Sequence, residues 1–219
     1  GWGVTLDGRA VKTPARRDLI VPHENFAEAI VAEWQAQEGE IDPLAMTLTR
    51  LANTALDRTT PNRLQVIDEV AGYGKRDLLC YHAADPPDLV ALQVEHWQPV
   101  LDWLTEAYRA PLAVTGDIAP LEQDKASLVA VFSAVARHND FVLTGLHAVT
   151  AVCGSVALGL ALLDHRIDVA ETWSCAILDE RFQAERWGVD ADVESRWAEI
   201  RAEISTAGDF MSLAQNQAG

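Results

Sequence analysis

The chain has 219 residues, 49% apolar and 23% charged, which suits a globular protein of one large or two modest domains. Its 17 Lys and Arg face 33 Asp and Glu, for a net charge of −16. That balance excludes a nucleic-acid binder, which needs clustered cations for phosphate, and it disfavours docking on anionic lipid.

Residues 2–22 read as β. Val4 and Leu6 lead into Asp7-Gly8, a hairpin turn, and Val11 continues beyond it. Pro14 ends that run, and Leu19-Ile20-Val21 forms a third short strand. The segment holds four cations against two carboxylates, or +2, so the remaining chain carries −18 to give the net −16. From His23 the period becomes helical, with Phe26, Ile30 and Trp34 on one face as far as Gly39. Ile41-Asp42-Pro43 restarts a helix with an Asp cap and an early proline, and Leu44, Leu48, Leu51, Ala55 and Leu56 continue it. The polar Thr59-Thr60-Pro61-Asn62 reads as a boundary, dividing an N-terminal α/β domain (1–60) from a helical domain (61–219).

Beyond it a helix is expected to Gly72, a strand or extended stretch at Asp77–Tyr81, and a long helix from Leu89 to Tyr108. Residues 110–120 form a loop, and helix resumes over Leu121–His138 with Asp140 as the next cap. Residues 141–163 lack Asp, Glu, Lys and Arg, so they have the length of a bilayer crossing. Three glycines, interspersed Thr and His, and the absence of a basic flank favour a central buried helix instead, with Ala151, Ser155 and Gly159 spaced for close packing. Asp168–Trp187 is expected as one helix ended by Gly188. Asp190 or Asp192 caps a last one through Ile204, and Gly208 opens a weak tail. The fold class is α+β, a small β-containing N-terminal domain followed by a larger all-helical one.

Catalytic motifs are missing. Gly72-Tyr73-Gly74-Lys75 lacks the spacing of a P-loop, no His-Glu-x-x-His occurs, and Ser155 sits in an apolar run rather than at a strand-to-helix elbow. His147 reads as a hydrogen-bonded core histidine. Cys80, Cys153 and Cys175 are odd in number and widely spaced, the pattern of buried free thiols in a reducing compartment. No metal or cofactor is expected. One carboxylate stands out. Projected at 100° per residue from Val169, Glu180 falls at about 20°, amid Trp173, Ala176, Ala184 and Trp187. Cys175, Leu178 and Phe182 form a second apolar side. Either Glu180 is paired internally or its face meets a partner, with Glu180 setting register.

Several segments in order carry a resemblance: LDGRAVKTP at 6–14, AEWQAQEGEIDPLAMTLTRLANTALD at 32–57, DLLCYHA at 77–83, HWQPVLDW at 96–103, GSVALGLAL at 154–162 and LDERFQAERWG at 178–188. The chain resembles the assembly chaperones for the alpha subunit of the F-one sector of ATP synthase, the ATP-twelve assembly factors. It departs from them at Thr47, where Pro is expected, and at Lys75-Arg76. The resemblance implies a monomeric holding chaperone without ATPase activity that binds an unassembled alpha subunit and releases it into the hexamer. It implies no nucleic acid and no stable membrane insertion, and residence in a bacterial cytoplasm or a mitochondrial matrix. It implies partner-binding roles for Asp179, Glu180, Gln183, Glu185 and Trp187, to which the helix projection adds Trp173. Arg50 and Asn53 are expected to tie the two domains through buried hydrogen bonds. The alternative is a ligand-binding or hydrolytic helical enzyme using a carboxylate pair.

Overall fold

The N-terminal strands are short and gather around Val4 and Leu19, both buried. β1 (Trp2–Gly3) pairs antiparallel with β4 (Ile20–Val21), and β2 (Thr5–Leu6) with β3 (Arg9–Ala10), Leu6 opposite Arg9. Gly8 turns that hairpin at φ +75°, a backbone that costs glycine nothing. Its neighbour Asp7 lies outside the described residues, which in this computed structural model are 1–6, 8–117, 119 and 121–215. α1 (Glu24–Gln35) follows and buries Phe26 and Ile30, as their spacing predicts.

The helix expected from Pro43 starts later. Asp42 only accepts from the Leu44 N–H in a local turn, and α2 spans Thr47–Thr54. What starts α2 is Glu33 of α1, whose carboxylate accepts from the backbone N–H of Leu48 and Thr49 at 2.7 and 2.8 Å. A cap supplied by another element leaves no local sequence signal. Nor is Thr59–Asn62 a break. The chain continues as a π turn (Ala55–Thr59), a 3-10 turn (Thr60–Asn62) and α3 (Arg63–Gly72). Pro61 sits at the start of the 3-10 turn, where its missing N–H costs little.

Asp77–Tyr81 is not a strand but a 3-10 turn over Leu78–Cys80, capped by Asp77. α4 (Pro87–Tyr108) buries Trp97, Leu101 and Leu104 on one stripe. α5 (Lys125–Ala136) is capped by Asp124, and α6 (Asp140–Cys153) by Asn139 rather than Asp140. The apolar run 141–163 is two helices. Gly154, at φ +67°, closes α6, and the Ser155 side chain caps α7 (Val156–Leu163). Ser155 is therefore not part of a packing stripe. Gly159 does permit close approach, since a Cβ there would lie 2.7 Å from Thr150 Oγ1 on α6. Among the described residues no helix is long and apolar enough to cross a membrane.

Asp168–Trp187 is also two helices, α8 (Val169–Ala176) and α9 (Leu178–Trp187), separated at Ile177, whose φ/ψ of −110°/15° is not helical. α10 (Ala191–Ala214), capped by Asp190, runs past Ile204 and Gly208 and buries Phe210, Met211 and Ala214. Gly145 lets α10 lie against α6, since a Cβ there would sit 2.5 Å from Met211 Cγ. One contiguous core joins Val4, Leu19 and Phe26 to Val149 and Phe210, with the Phe26 and Phe210 rings edge to face at 5.0 Å. The architecture is α+β: small N-terminal strands followed by a larger, mostly helical region.

Candidate functional site

The break at Ile177 re-aims α9, so Trp173 and Trp187 do not share a stripe and the straight-helix projection of Glu180 fails. Trp173, half-buried on α8, donates its indole N–H to Trp197 O at 2.9 Å, and the guanidinium groups of Arg181 and Arg201 lie 5.9 and 5.6 Å from its ring centroid. Trp187, at the end of α9, is 77% exposed. The side carrying Cys175, Leu178 and Phe182 is buried, as the sequence predicts.

Asp179 and Glu180 are neighbours with opposite surroundings. Glu180 faces α10, where its Oε2 accepts from the Arg196 guanidinium and from Trp197 Nε1 at 2.7 Å. The Arg196 hydrogen bond outweighs partial burial and holds the Glu180 carboxyl below its usual range. Asp179 faces α4, accepting from Gln93 Nε2 at 2.7 Å, while Gln93 Oε1 accepts from the Ala83 N–H. Partial burial pushes the Asp179 carboxyl up, and Gln93 offsets only part of that. Arg186 also ties α9 to α4 through Asp88 at 2.6 Å. Three of the six candidate residues, Trp173, Asp179 and Glu180, are thus built into the frame. The other three, Gln183, Glu185 and Trp187, face solvent.

This corner of α8, α9 and α10 holds no reactive constellation. Among the described residues no group of three His, Cys, Asp or Glu could hold a metal ion. The groove between α4 and α8, about 390 Å³, is lined by Glu95, His96 and Glu171 with no hydrogen bond among them.

The model of a family described as ATP12 chaperone protein matches residues 1–105. The crystal structure of Atp12 from Paracoccus denitrificans matches at 40% identity and a TM-score of 0.95, over 98% of this chain and 92% of that one. The chain belongs to the ATP12 chaperone family. A mutant of the same Paracoccus protein gives the same figures. The Atu1473 protein of Agrobacterium tumefaciens matches at 31% identity and a TM-score of 0.92, over 97% of this chain and 80% of that one. ATP12 proteins are chaperones, not enzymes, and membership carries a general chaperone role in ATP synthase assembly.

Within the ATP12-like segment 32–57 the expected tie through Arg50 and Asn53 is not formed. Arg50 is exposed and reaches only Leu44 O, at 3.5 Å in its own segment, and Asn53 Oδ1 is buried without a partner. Other side chains join the N-terminal strands to the helices. Asp57 accepts from Thr13 Oγ1 at 2.7 Å and from the Ala15 N–H at 2.9 Å, and Arg17 donates to Leu56 O. Further on, Arg63 donates to Asp140, Ala136 O and His138 O. Sequence reasoning missed Arg196, Trp197 and Gln93 at the α9 corner. Each lies many residues from its partner, and Gln93 reads as an ordinary polar position within α4.

Proposed function

We propose that this ATP12 family member binds the unassembled alpha subunit of the F-one sector, covers the surface that beta later occupies, and yields it during hexamer assembly. It does so as a monomer in a reducing compartment, a bacterial cytoplasm or a mitochondrial matrix. The alternative of a hydrolytic helical enzyme gives way to family membership.

The observation that supports a binding face at the end of α9 is Trp187. A tryptophan this exposed, on a helix pinned on one side to α4 and on the other to α10, is a rigid apolar anchor of the kind that dominates interfaces. Gln183 and Glu185 flank it, and Val189 beyond Gly188 is also exposed. Glu180 and Asp179 act beneath this face by fixing its angle. A free alpha subunit exposes apolar surface, and a partner that occupies it prevents wrong contacts.

The test is capture of isolated alpha subunit by the purified chain, with and without beta. Wild-type protein retains alpha and loses it when beta is added. Trp187→Ala leaves stability within about 0.5 kcal/mol and weakens capture at least about tenfold. Glu180→Lys puts a cation against Arg196 and frees α9 from α10. Its circular dichroism stays native because Asp179 and Arg186 still hold α9, while capture is lost. Full capture by both variants would move the binding face elsewhere.

A further inference from the structure

On α4, Leu89, Gln93, Trp97 and Leu101 follow one another at intervals of four and form part of its buried stripe. Gln93 interrupts the apolar series, yet it is fully buried. A leucine or methionine there would fill similar space without desolvating an amide. What offsets that cost is that both ends of the amide are used. Oε1 accepts from the Ala83 N–H at 2.6 Å, and Nε2 donates to Asp179 Oδ1 at 2.7 Å.

The next turn of α4 makes a matching contact. Trp97, also fully buried, donates its indole N–H to Cys175 O at 3.1 Å. In an unbroken helix that carbonyl would accept from the Asp179 N–H, four residues on. The break at Ile177 frees it, and the indole takes the place of the lost donor. Between Asp168 and Trp187 there is no glycine or proline to bend the chain. A side chain inserted into the helical ladder is the remaining common cause of such a bend, and Trp97 supplies it. Cys175 and Asp179 stand two residues either side of Ile177. α4 thus grips α8 just before the break with Trp97, and α9 just after it with Gln93.

Two other ties hold α9, Glu180 to Arg196 and Arg186 to Asp88, but both lie at the surface with side chains 37–66% exposed. The Gln93 tie is the one with a fully buried member, so water competes with it least. Trp187 lies roughly 12 Å of helix rise beyond Asp179, so a small tilt at Asp179 is magnified there. We propose that Gln93 is the positioning residue of the α9 binding face: it fixes the direction in which α9 leaves the break, and through it the place of Trp187. The proposal rests on the reading of Trp187 as a client anchor and assigns control of that anchor to another helix.

The experiment uses the full chain and isolated alpha subunit, with circular dichroism and thermal melts as the check on folding. Gln93→Glu keeps the acceptor for Ala83 and sets a second carboxylate against Asp179. At pH 8 it is expected to weaken alpha binding at least about tenfold, with native circular dichroism. As pH falls to about 6 the two carboxylates come to share a proton, and the hydrogen bond returns. Binding relative to wild type at the same pH is then expected to recover to within about threefold. Taking that ratio removes what His82 and Glu180, which also act on the Asp179 carboxyl, contribute in both chains. Adding Asp179→Asn to the variant exchanges donor and acceptor across the bond, and is expected to recover binding at both pH values. A residue that served the core alone would move the melt without a pH-dependent recovery of binding. Gln93→Glu binding within about twofold of wild type at pH 8 overturns the proposal while the alpha-subunit reading stands. So does binding lost at both pH values in the single and the double variant, or an unfolded Gln93→Glu chain, which would leave Gln93 a core residue only. If Trp187→Ala binds as wild type does, or wild-type protein fails to bind alpha, the reading beneath the proposal fails and takes it along.

Discussion

Glu180 shows what sequence spacing conveys about a single residue and where it stops. Its apolar neighbourhood singles it out, yet the neighbour that matters is Trp197 on another helix, together with Arg196. Glu180 does pair within the chain, and its side chain stays 42% exposed while it does so. Asp77 received no attention in the sequence because a buried carboxylate looks like any other acidic residue. It is fully buried, accepting from the N–H of Leu79 and of Ala157, and so holds the 3-10 turn and the start of α7 together. Burial pushes its carboxyl up to about 6, against the opposing pull of Ser155 and the backbone donors. A carboxyl raised on folding contributes stability that is full below its unfolded pKa, about 4, and is lost as pH rises through the folded value. The stability difference between wild type and Asp77→Asn is therefore expected to be larger at pH 5 than at pH 7. Urea titrations at the two pH values measure it, and an unchanged difference would remove Asp77 as the titrating group.

Most elements are legible from periodicity, because α1 and α4 carry clear apolar stripes and the starts of α8 and α10 carry local caps. Errors cluster where one turn of backbone departs from a helix that composition favours on both sides. Gly154 and Ile177 each split an expected helix, and Thr59–Asn62 stays helical despite its proline. The start of α2 is the sharpest case. A local cap at Asp42 was expected, but the helix begins at Thr47 under a carboxylate from α1. This predicts opposite outcomes for two acidic positions. Glu33→Ala should cost about 1.5–3 kcal/mol, the worth of hydrogen bonds to a charged acceptor. Asp42→Ala should stay within about 0.5 kcal/mol. Equal losses in chemical denaturation would return the start of α2 to Asp42.

At the scale of the molecule, charge and exposed apolar surface belong together. Trp2, Leu6, Ile20, Ile41, Leu44, Leu64 and Trp187 are all substantially exposed. A chain that presents such surface to a partner also presents it to other copies of itself. The net −16 opposes that encounter, and it does so only while the carboxylates are ionised. Light scattering at fixed concentration should stay low at neutral pH and rise as pH falls toward 4.6, where the net charge vanishes. A chain held apart by its fold rather than its charge would scatter equally at both. Most of the 33 carboxylates are legible from composition as a solvated shell, and a local cap such as Asp190 is legible too; the pairings of Asp179 and Glu180 are visible only once α4, α9 and α10 are brought together.

The turn at Gly154 and Ser155 has a consequence for the chain while it is being made. An emerging polypeptide is sorted by the length of its uncharged stretches before any tertiary contact exists, and residues 141–163 form 23 such positions in a row. Gly154 cuts the stretch into helices of 14 and 8 residues, each too short to reach across a bilayer. The turn at Gly154 thus leaves neither helix the length of a continuous span.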